Sequence, residues 1–168
     1  MEEQVILVDE QDRAIGTMEK LAAHREGLLH RAISVFIFDN QGRLLVHQRA
    51  AHKYHSASLW TNTCCSHPRP GESVMDAAHR RLHEEMGMEA DLTFAFAFQY
   101  RAVFDNGLTE HEFDHVFIGH SSHIPYPNPA EVANYRWLGQ SDIEHDIRTH
   151  PDTYTAWFKL IYQRVFEW

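Results

Sequence analysis

The sequence has only two cysteines, Cys64 and Cys65, and they are neighbours. Adjacent cysteines make a strained disulfide, so a framework of structural disulfides is excluded. A chain without such bridges fits a reducing compartment, and we therefore expect a cytoplasmic protein. The opening Met-Glu-Glu-Gln has neither a basic segment nor an apolar one, so we also expect no secretory signal.

The sequence also lacks internal repeats, low-complexity tracts, linkers and any apolar run of membrane-spanning length. Basic residues are few: 15 Lys and Arg stand against 24 Asp and Glu, which gives a formal net charge of −9. A surface of that sign repels nucleic acid and anionic membranes, so we expect neither as a partner. The length predicts one domain over residues 1–168, a monomer by default, with an oligomer left open.

Hydrophobic periodicity predicts an α/β (α+β) fold, in which a mixed, largely antiparallel sheet is sandwiched by helices. Predicted strands cover residues 5–8, 32–38, 43–48, 92–104, 110–120 and 135–138. Predicted helices cover residues 17–25, 73–86, 141–148 and a final amphipathic segment that begins at Pro151. Residues 39–42 and 105–107 predict the turns of two hairpins, and residues 50–62 predict a polar loop.

Chemically active side chains gather in two segments of the sequence. In Thr61-Asn62-Thr63-Cys64-Cys65-Ser66-His67-Pro68, a thiol stands two residues from an imidazole. In Glu110-His111-Glu112, two carboxylates at i and i+2 share one face of a predicted strand, and His111 points to the other face. Each of these side chains, taken singly, is also typical of ordinary structural or surface positions. Together they offer an acid, a base and several metal ligands.

An acidic helix between these two segments follows the frame Glu72-x7-Arg80-Arg81-Leu82-x-Glu84-Glu85-x-Gly87. The frame resembles the Nudix box, Gly-x5-Glu-x7-Arg-Glu-(apolar)-x-Glu-Glu-x-Gly. Ser66 stands at the first glycine of the box, and Arg81 stands at the glutamate that follows its arginine. In Nudix hydrolases that glutamate binds metal and supports attack by water. A cation there argues against hydrolysis and places a positive charge where a diphosphate can be held intact.

Candidate metal ligands are numerous, since the chain has 14 histidines, most of which we interpret as solvated. Three imidazoles and two carboxylates form the candidate set: His24, His30, His67, Glu110 and Glu112. Such a set suits octahedral Mn²⁺ or Mg²⁺ more than tetrahedral Zn²⁺. A zinc finger is excluded because no second pair of cysteines or histidines completes four ligands.

Four basic residues lie near these motifs in a chain that is otherwise acidic: Lys20, Arg49, Lys53 and Arg81. They are consistent with ordinary surface charge. They are equally consistent with a local clamp that recruits an anionic diphosphate despite the net charge of the protein.

These segments together resemble the type I isopentenyl-diphosphate isomerases of the Nudix superfamily, from about Val5 to Trp168. The resemblance rests on the run from Trp60 to Pro68, the altered Nudix box and Glu110-His111-Glu112. It implies a Nudix-like fold, divalent Mg²⁺ and Mn²⁺, and no organic cofactor. The implied activity is interconversion of isopentenyl diphosphate and dimethylallyl diphosphate, small-molecule diphosphates of isoprenoid synthesis.

The resemblance also implies roles for individual residues. Cys65 matches the catalytic thiol, Glu112 the catalytic carboxylate, and Tyr100 the tyrosine that hydrogen-bonds this carboxylate; Cys64 has no matched role. The matched ligands of a tightly bound metal are His24, His30, His67, Glu110 and Glu112, and Glu85 matches an acid that helps to hold Mg²⁺ at the diphosphate. The matched substrate-binding residues are Lys20, Arg49, Lys53, Arg81 and, in the alkyl pocket, Trp157.

The implied reaction adds a proton at one carbon and removes another two carbons away, through a carbocation-like intermediate. We expect Glu112 with Tyr100 to protonate the alkene and Cys65, as a thiolate, to remove the second proton, although the sequence leaves the direction open. We expect Trp157, with Trp60 as a second candidate, to stabilise the cation in a closed apolar pocket. Two alternatives are a Nudix pyrophosphohydrolase of a nucleoside diphosphate derivative and a catalytically silent metal- or partner-binding module.

Overall fold

The computed structural model describes residues 3–168. Met1 and Glu2, part of the opening segment in which no secretory signal is expected, lie outside the described residues. The described strands are β1 Gln4–Val8, β2 Ala14–Glu19, β3 His30–Phe38, β4 Leu44–Arg49, β5 Trp60–Thr61, β6 Cys64–Ser66, β7 Leu92–Val103, β8 Thr109–His120 and β9 Val132–Leu138. The described α-helices are α1 Lys20–Glu26, α2 Val74–Met86, α3 Gln140–Thr149 and α4 Ala156–Glu167. None of these helices has the length and apolar character needed to cross a membrane.

Strand β3 lies at the centre of the sheet. It pairs in parallel with β8 along its whole length, from His30 opposite Glu112 to Phe38 opposite His120. Its other partners, β1, β6 and β4, are antiparallel to it and follow one another along the strand. Strands β6 and β8, which carry the thiol and the two carboxylates, are therefore both hydrogen-bonded to β3.

Both faces of β3 are buried because helices cover the sheet on each side. On one face Ile33 and Val35 belong to a cluster with Ala78 and Leu82 of α2. On the other face Phe36 belongs to a cluster that contains Ile143 of α3 and much of α4. Burial on both faces explains why β3 reads as a nearly continuous apolar run rather than an alternating one. The predicted mixed sheet sandwiched by helices is confirmed.

The predicted helix at the Nudix-like box is confirmed in detail. The Ser73 side chain accepts a hydrogen bond of 3.0 Å from the backbone N–H of Asp76, which satisfies a free donor of the first turn. Gly87 ends the helix at φ 62°, a left-handed conformation that glycine adopts without steric cost. The β7–β8 hairpin is also confirmed, around the predicted turn at residues 105–107.

The prediction of a helix over residues 17–25 was wrong for its first three residues. Residues 14–19 instead form β2, which pairs with β1 from Gln4 opposite Glu19 to Val8 opposite Ala14. The helix begins only at Lys20, because the carboxylate of Glu19 accepts hydrogen bonds from the backbone N–H groups of Leu21 and Ala22.

Three further boundaries differ from the sequence prediction. The expected β3–β4 hairpin meets only at Phe38 and Leu44, because β6 and β8 take up the hydrogen-bonding edges of β3. The polar loop over residues 50–62 ends in the short strand β5. Pro151 begins a short 3₁₀ turn, and the final helix starts at Ala156.

Candidate active site

Asn62 holds the segment that carries the candidate thiol. Its side chain is fully buried and donates hydrogen bonds to the carbonyl oxygens of Val35 (3.0 Å) and Cys64 (2.8 Å). The neighbouring Thr63 hydroxyl donates to the carbonyl oxygen of Leu45 at 2.7 Å. These side chains satisfy backbone groups that a buried, irregular segment would otherwise leave unpaired. The polar run Thr61-Asn62-Thr63 therefore fixes β6 beside β3.

Cys65 has two close polar neighbours. Its thiol donates to the Asn62 Oδ1 at 2.9 Å, and the indole N–H of Trp157 donates to its sulfur at 3.2 Å. Burial raises the pKa of Cys65, and the negative charge of Asp114 raises it further, against a lowering by Arg49 and Trp157. Burial and the charge of Asp114 thus favour the neutral thiol of Cys65 over the thiolate that we expect from the sequence. Cys64 is fully buried and donates to Glu85 at 2.8 Å.

Glu112 receives a hydrogen bond from the tyrosine expected to pair with it. The register of the β7–β8 hairpin places Tyr100 directly opposite Glu112, and the Tyr100 hydroxyl donates to Oε1 at 2.6 Å. The second oxygen, Oε2, lies 2.8 Å from His67 Nε2 and 3.2 Å from His30 Nε2. Burial raises the pKa of Glu112, but these two histidines outweigh burial and hold its pKa well below the usual range.

Four of the five expected metal ligands come together in one buried group. Ligand atoms of His24, His30, His67 and Glu112 lie within 4.8 Å of one another. In His30 the Nδ1 lies 2.9 Å from the Leu28 carbonyl oxygen, and the Nε2 faces the Glu112 carboxylate at 3.2 Å. Imidazole nitrogens and a carboxylate oxygen that converge in this way are donors that fit a divalent metal.

Glu110, the fifth expected ligand, lies in a second group that overlaps the first. Its ligand atom is within 4.8 Å of those of His24 and His55, and all three residues are buried. Burial raises the pKa of Glu110, and the charge of Glu112 raises it further. The sequence analysis missed His55, since it placed this residue in a polar loop and interpreted most histidines as solvated.

A third buried acid was also missed. Asp114 follows Glu110 and Glu112 at i+4 and i+2 on the same strand face, so the alternation of the strand could have revealed it. The Ser34 hydroxyl donates to Asp114 Oδ2 at 2.6 Å, while Oδ1 has no hydrogen-bond partner. Burial raises the pKa of Asp114, and the charge of Glu112 adds to this effect.

A cavity opens onto these groups, with an empty volume of about 540 Å³ that includes its open mouth. Its wall contains the thiol of Cys65, the carboxylate of Glu112 and the indole of Trp157. The four expected cations also line it: Lys20, Arg49, Lys53 and Arg81. The structure thus brings together in one cavity residues that are up to 154 positions apart in the sequence, between Glu3 and Trp157.

The cations at the cavity are partly neutralised by carboxylates that also line it. Lys20 pairs with Glu3 at 2.8 Å, and Lys53 pairs with Glu131 at 2.7 Å. Arg49 has no carboxylate partner among residues 3–168; its Nη2 donates to the His55 carbonyl oxygen at 3.2 Å, and its guanidinium lies 5.3 Å from the centre of the Trp157 ring. Arg49 is therefore the cation most available to an added anion.

The two adjacent arginines of the altered Nudix helix, Arg80 and Arg81, make different contacts. Arg80 forms hydrogen bonds with both oxygens of Glu72 at 2.8 Å and with Glu84 at 3.1 Å, which anchors the helix to the preceding loop. Arg81 lines the cavity and lies 2.8 Å from Glu84 and 3.5 Å from Glu85. Glu85 is buried against Arg81 and Cys64 and belongs to neither group of metal-ligating atoms.

Two expectations about the cavity were wrong. Trp60 is absent from the described lining; it lies under the guanidinium of Arg136, whose Cζ is 4.6 Å from the centre of its ring. The wall is mostly polar and open at its mouth, and Trp157 with Tyr54 supplies its aromatic surface, so it is not a closed apolar pocket. His111 points away from the ligand groups as predicted, since its Nδ1 donates to the Gly27 carbonyl oxygen at 3.1 Å.

Comparison with known proteins shows which family the chain resembles. Residues 28–158 match the family model of the NUDIX domain. The isopentenyl-diphosphate Delta-isomerase 2 of Aromatoleum aromaticum is 53% identical over 165 residues, which are 98% of this chain and 87% of that relative. The isopentenyl-diphosphate Delta-isomerase of Pectobacterium atrosepticum is 50% identical over 162 residues, 96% of this chain and 90% of the relative. The chain belongs to the isopentenyl-diphosphate Delta-isomerase family.

Similarity to solved structures extends the likeness of fold beyond this family. The crystal structure of DR0079 from Deinococcus radiodurans covers 96% of this chain and 98% of its own, with a TM-score of 0.80 and 21% identity. The MutT protein from Methanosarcina mazei covers 83% and 93%, with a TM-score of 0.66 and 18% identity. At such identities the likeness concerns the fold alone. Membership of the isomerase family, and not the fold, distinguishes this chain from Nudix hydrolases.

Proposed function

We propose that this chain interconverts isopentenyl diphosphate and dimethylallyl diphosphate, the activity named for its relatives. The observation that carries the proposal is the single cavity that holds Cys65, Glu112, Trp157 and the cationic clamp. The proposal treats residues 1–168 as one domain, because the cavity draws residues from near both ends of the chain. It places the enzyme in the cytoplasm as a monomer without nucleic acid or membrane partners, in keeping with its free cysteines and net charge of −9.

In this proposal the diphosphate binds to the clamp formed by Lys20, Arg49, Lys53 and Arg81. The Arg49 guanidinium has a buried Nε without a hydrogen-bond partner and also lies against the Trp157 ring, so it marks the junction between the charged and the alkyl ends of the substrate. Multiple charge-assisted hydrogen bonds fix the substrate, and the alkene is thereby positioned without any contact of its own with the clamp.

The proton transfers involve Cys65 and the Tyr100–Glu112 pair. One of these delivers a proton to the terminal alkene carbon, and the other accepts the proton that leaves the carbon two positions away. The number of protons on the enzyme is conserved, and the two groups exchange roles in the reverse reaction. We retain the Tyr100–Glu112 pair, in which the phenol donates to Glu112 at 2.6 Å, as the donor for isopentenyl diphosphate, and Cys65 as a thiolate acceptor. The state with a neutral Cys65 thiol and an ionised Glu112 carboxylate then follows this turnover and starts the reverse reaction. Trp157 stabilises the intermediate cation with its ring and holds the Cys65 sulfur with its N–H.

The residues that would hold Mn²⁺ or Mg²⁺ are His24, His30, His67, Glu110 and Glu112, with Glu85 assigned to a Mg²⁺ at the diphosphate. When bound, such a metal would supply positive charge that strengthens Glu112 as an acid. The three histidines keep their side of the site in place through buried contacts, since their ring centres are 4.9 to 5.9 Å apart.

The experiment that tests this proposal is direct product analysis. Purified protein with Mg²⁺ and Mn²⁺ is incubated with isopentenyl diphosphate, and dimethylallyl diphosphate is quantified by chromatography. Phosphate release from nucleoside diphosphate derivatives is measured in parallel. We expect isomer formation without phosphate release. Phosphate release that persists in Cys65→Ser, with no isomer formed, would overturn the proposal in favour of a hydrolase.

A further inference from the structure

We propose that His55 is an additional ligand of the divalent cation. The metal site would then contain four imidazoles and two carboxylates instead of three imidazoles and two carboxylates. This inference rests on the proposed function, since it concerns the same metal site. It assigns a role to a residue that lies in a loop, outside the Thr61–Pro68 and Glu110–Glu112 segments.

Unpaired polar atoms concentrate around His55. The Nε2 atoms of His24 and His55 and the Oε2 atom of Glu110 are all buried, and none has a hydrogen-bond partner of acceptable geometry. The His55 Nε2 lies 3.2 Å from the Glu110 Oε2. Ligand atoms of the three residues lie within 4.8 Å of one another. Buried polar groups are normally satisfied, so three neighbouring unsatisfied atoms indicate a shared partner such as a cation.

The His55 ring is held in the manner of a ligating histidine. Its Nδ1 is 3.1 Å from the Ser56 hydroxyl, and its ring stacks on Phe104 with centroids 4.7 Å apart and planes 6° from parallel. His24, which the sequence analysis already names as a metal ligand, shows the same pattern. Its Nδ1 donates to the Lys20 carbonyl oxygen at 2.7 Å, and its Nε2 has no hydrogen-bond partner. A hydrogen bond at one ring nitrogen that orients the other nitrogen is the usual second contact of metal-bound histidines.

A fourth imidazole changes the class of cation that the site prefers. Mg²⁺ favours oxygen ligands, whereas imidazole nitrogen suits transition metals such as Mn²⁺, Co²⁺ and Zn²⁺. His55 therefore biases the site towards a transition metal over Mg²⁺.

The test compares His55→Phe with wild type and with His52→Phe. Phenylalanine keeps an aromatic ring for the stack on Phe104 but removes both nitrogens, and His52 is an exposed histidine in the same loop. Mn²⁺ affinity is measured by competition with a chelator, and the visible absorption spectrum of the Co²⁺-substituted protein reports the ligand set. We expect Mn²⁺ to bind roughly tenfold or more weakly in His55→Phe, with an altered Co²⁺ spectrum, and no change in His52→Phe.

Unchanged Mn²⁺ affinity and an unchanged Co²⁺ spectrum in His55→Phe would overturn the inference. If circular dichroism shows that His55→Phe does not fold, His55→Gln is judged by the same two readouts. Turnover of isopentenyl diphosphate by the wild type is measured on the same preparation. An active wild type whose His55→Phe variant keeps full affinity contradicts only the inference. An inactive wild type whose variant loses affinity contradicts only the proposed function.

Discussion

Replacement of Asn62 by alanine should destabilise the fold and the catalytic centre together. The mutation removes the donors to two carbonyl oxygens, of Val35 and Cys64, and the one acceptor shared by the Cys65 thiol and the Trp157 indole. A buried group left unsatisfied costs about 1–3 kcal/mol, so we expect the free energy of unfolding to fall by about 2–4 kcal/mol. That is a large part of the roughly 5–15 kcal/mol that stabilises a typical domain.

The assay is urea unfolding followed by circular dichroism in the presence of a chelator, so that metal binding does not contribute to stability. Asn134→Ala is the matched control, because Asn134 is exposed and its side chain accepts only a local hydrogen bond from the Tyr135 backbone. We expect this control to stay within about 0.5 kcal/mol of wild type. A loss below about 1 kcal/mol in Asn62→Ala, together with full turnover, would refute the role given to this side chain.

Three further predictions concern the cavity. Cys65→Ser should lower kcat by roughly a hundredfold or more while metal content, measured by elemental analysis, stays at the wild-type level; wild-type turnover would remove the thiol from the chemistry. Glu112→Gln should fold, bind Mn²⁺ more weakly in chelator competition and lose turnover, and it contradicts the assignment if its Mn²⁺ affinity is unchanged. Glu131→Gln should lower KM several-fold and reduce stability in urea, because it frees Lys53 and Arg81 from a carboxylate 2.7 and 3.6 Å away; a raised KM would show that Glu131 supports substrate binding.

Local features of the fold could be predicted from the sequence. The Ser73 cap and Gly87 mark the ends of the Nudix helix, and the turn at residues 105–107 sets a register in which Tyr100 faces Glu112. The parallel pairing of β3 with β8 could not be predicted, because hydrophobic periodicity says which residues are buried but not which distant strand lies alongside. The strand β2 was missed because its hydrogen bonds to β1 override a short stretch of helical character.

Some residues of the candidate site could likewise be predicted from the sequence, and others could not. Cys65, Glu112 and Arg81 stand in recognisable motifs, whereas Lys20, Arg49 and Lys53 were predicted from the family resemblance; the structure places all of them at one cavity. Asp114 follows from the alternation of its strand, although the sequence gives no reason to expect its bond to Ser34. His55 carries no periodic or motif signal, because its position depends on how an irregular loop folds over the ligand group. The counter-ion Glu131 likewise approaches Lys53 only through the tertiary fold.

The measurement that tests the account most directly is a proton NMR time course of isopentenyl diphosphate with the metal-loaded enzyme in D₂O. Proton addition and removal at different carbons predicts dimethylallyl diphosphate that carries deuterium from solvent in a methyl group, and no such product with Cys65→Ser or Glu112→Gln. An unchanged spectrum from metal-loaded wild-type protein would contradict the account.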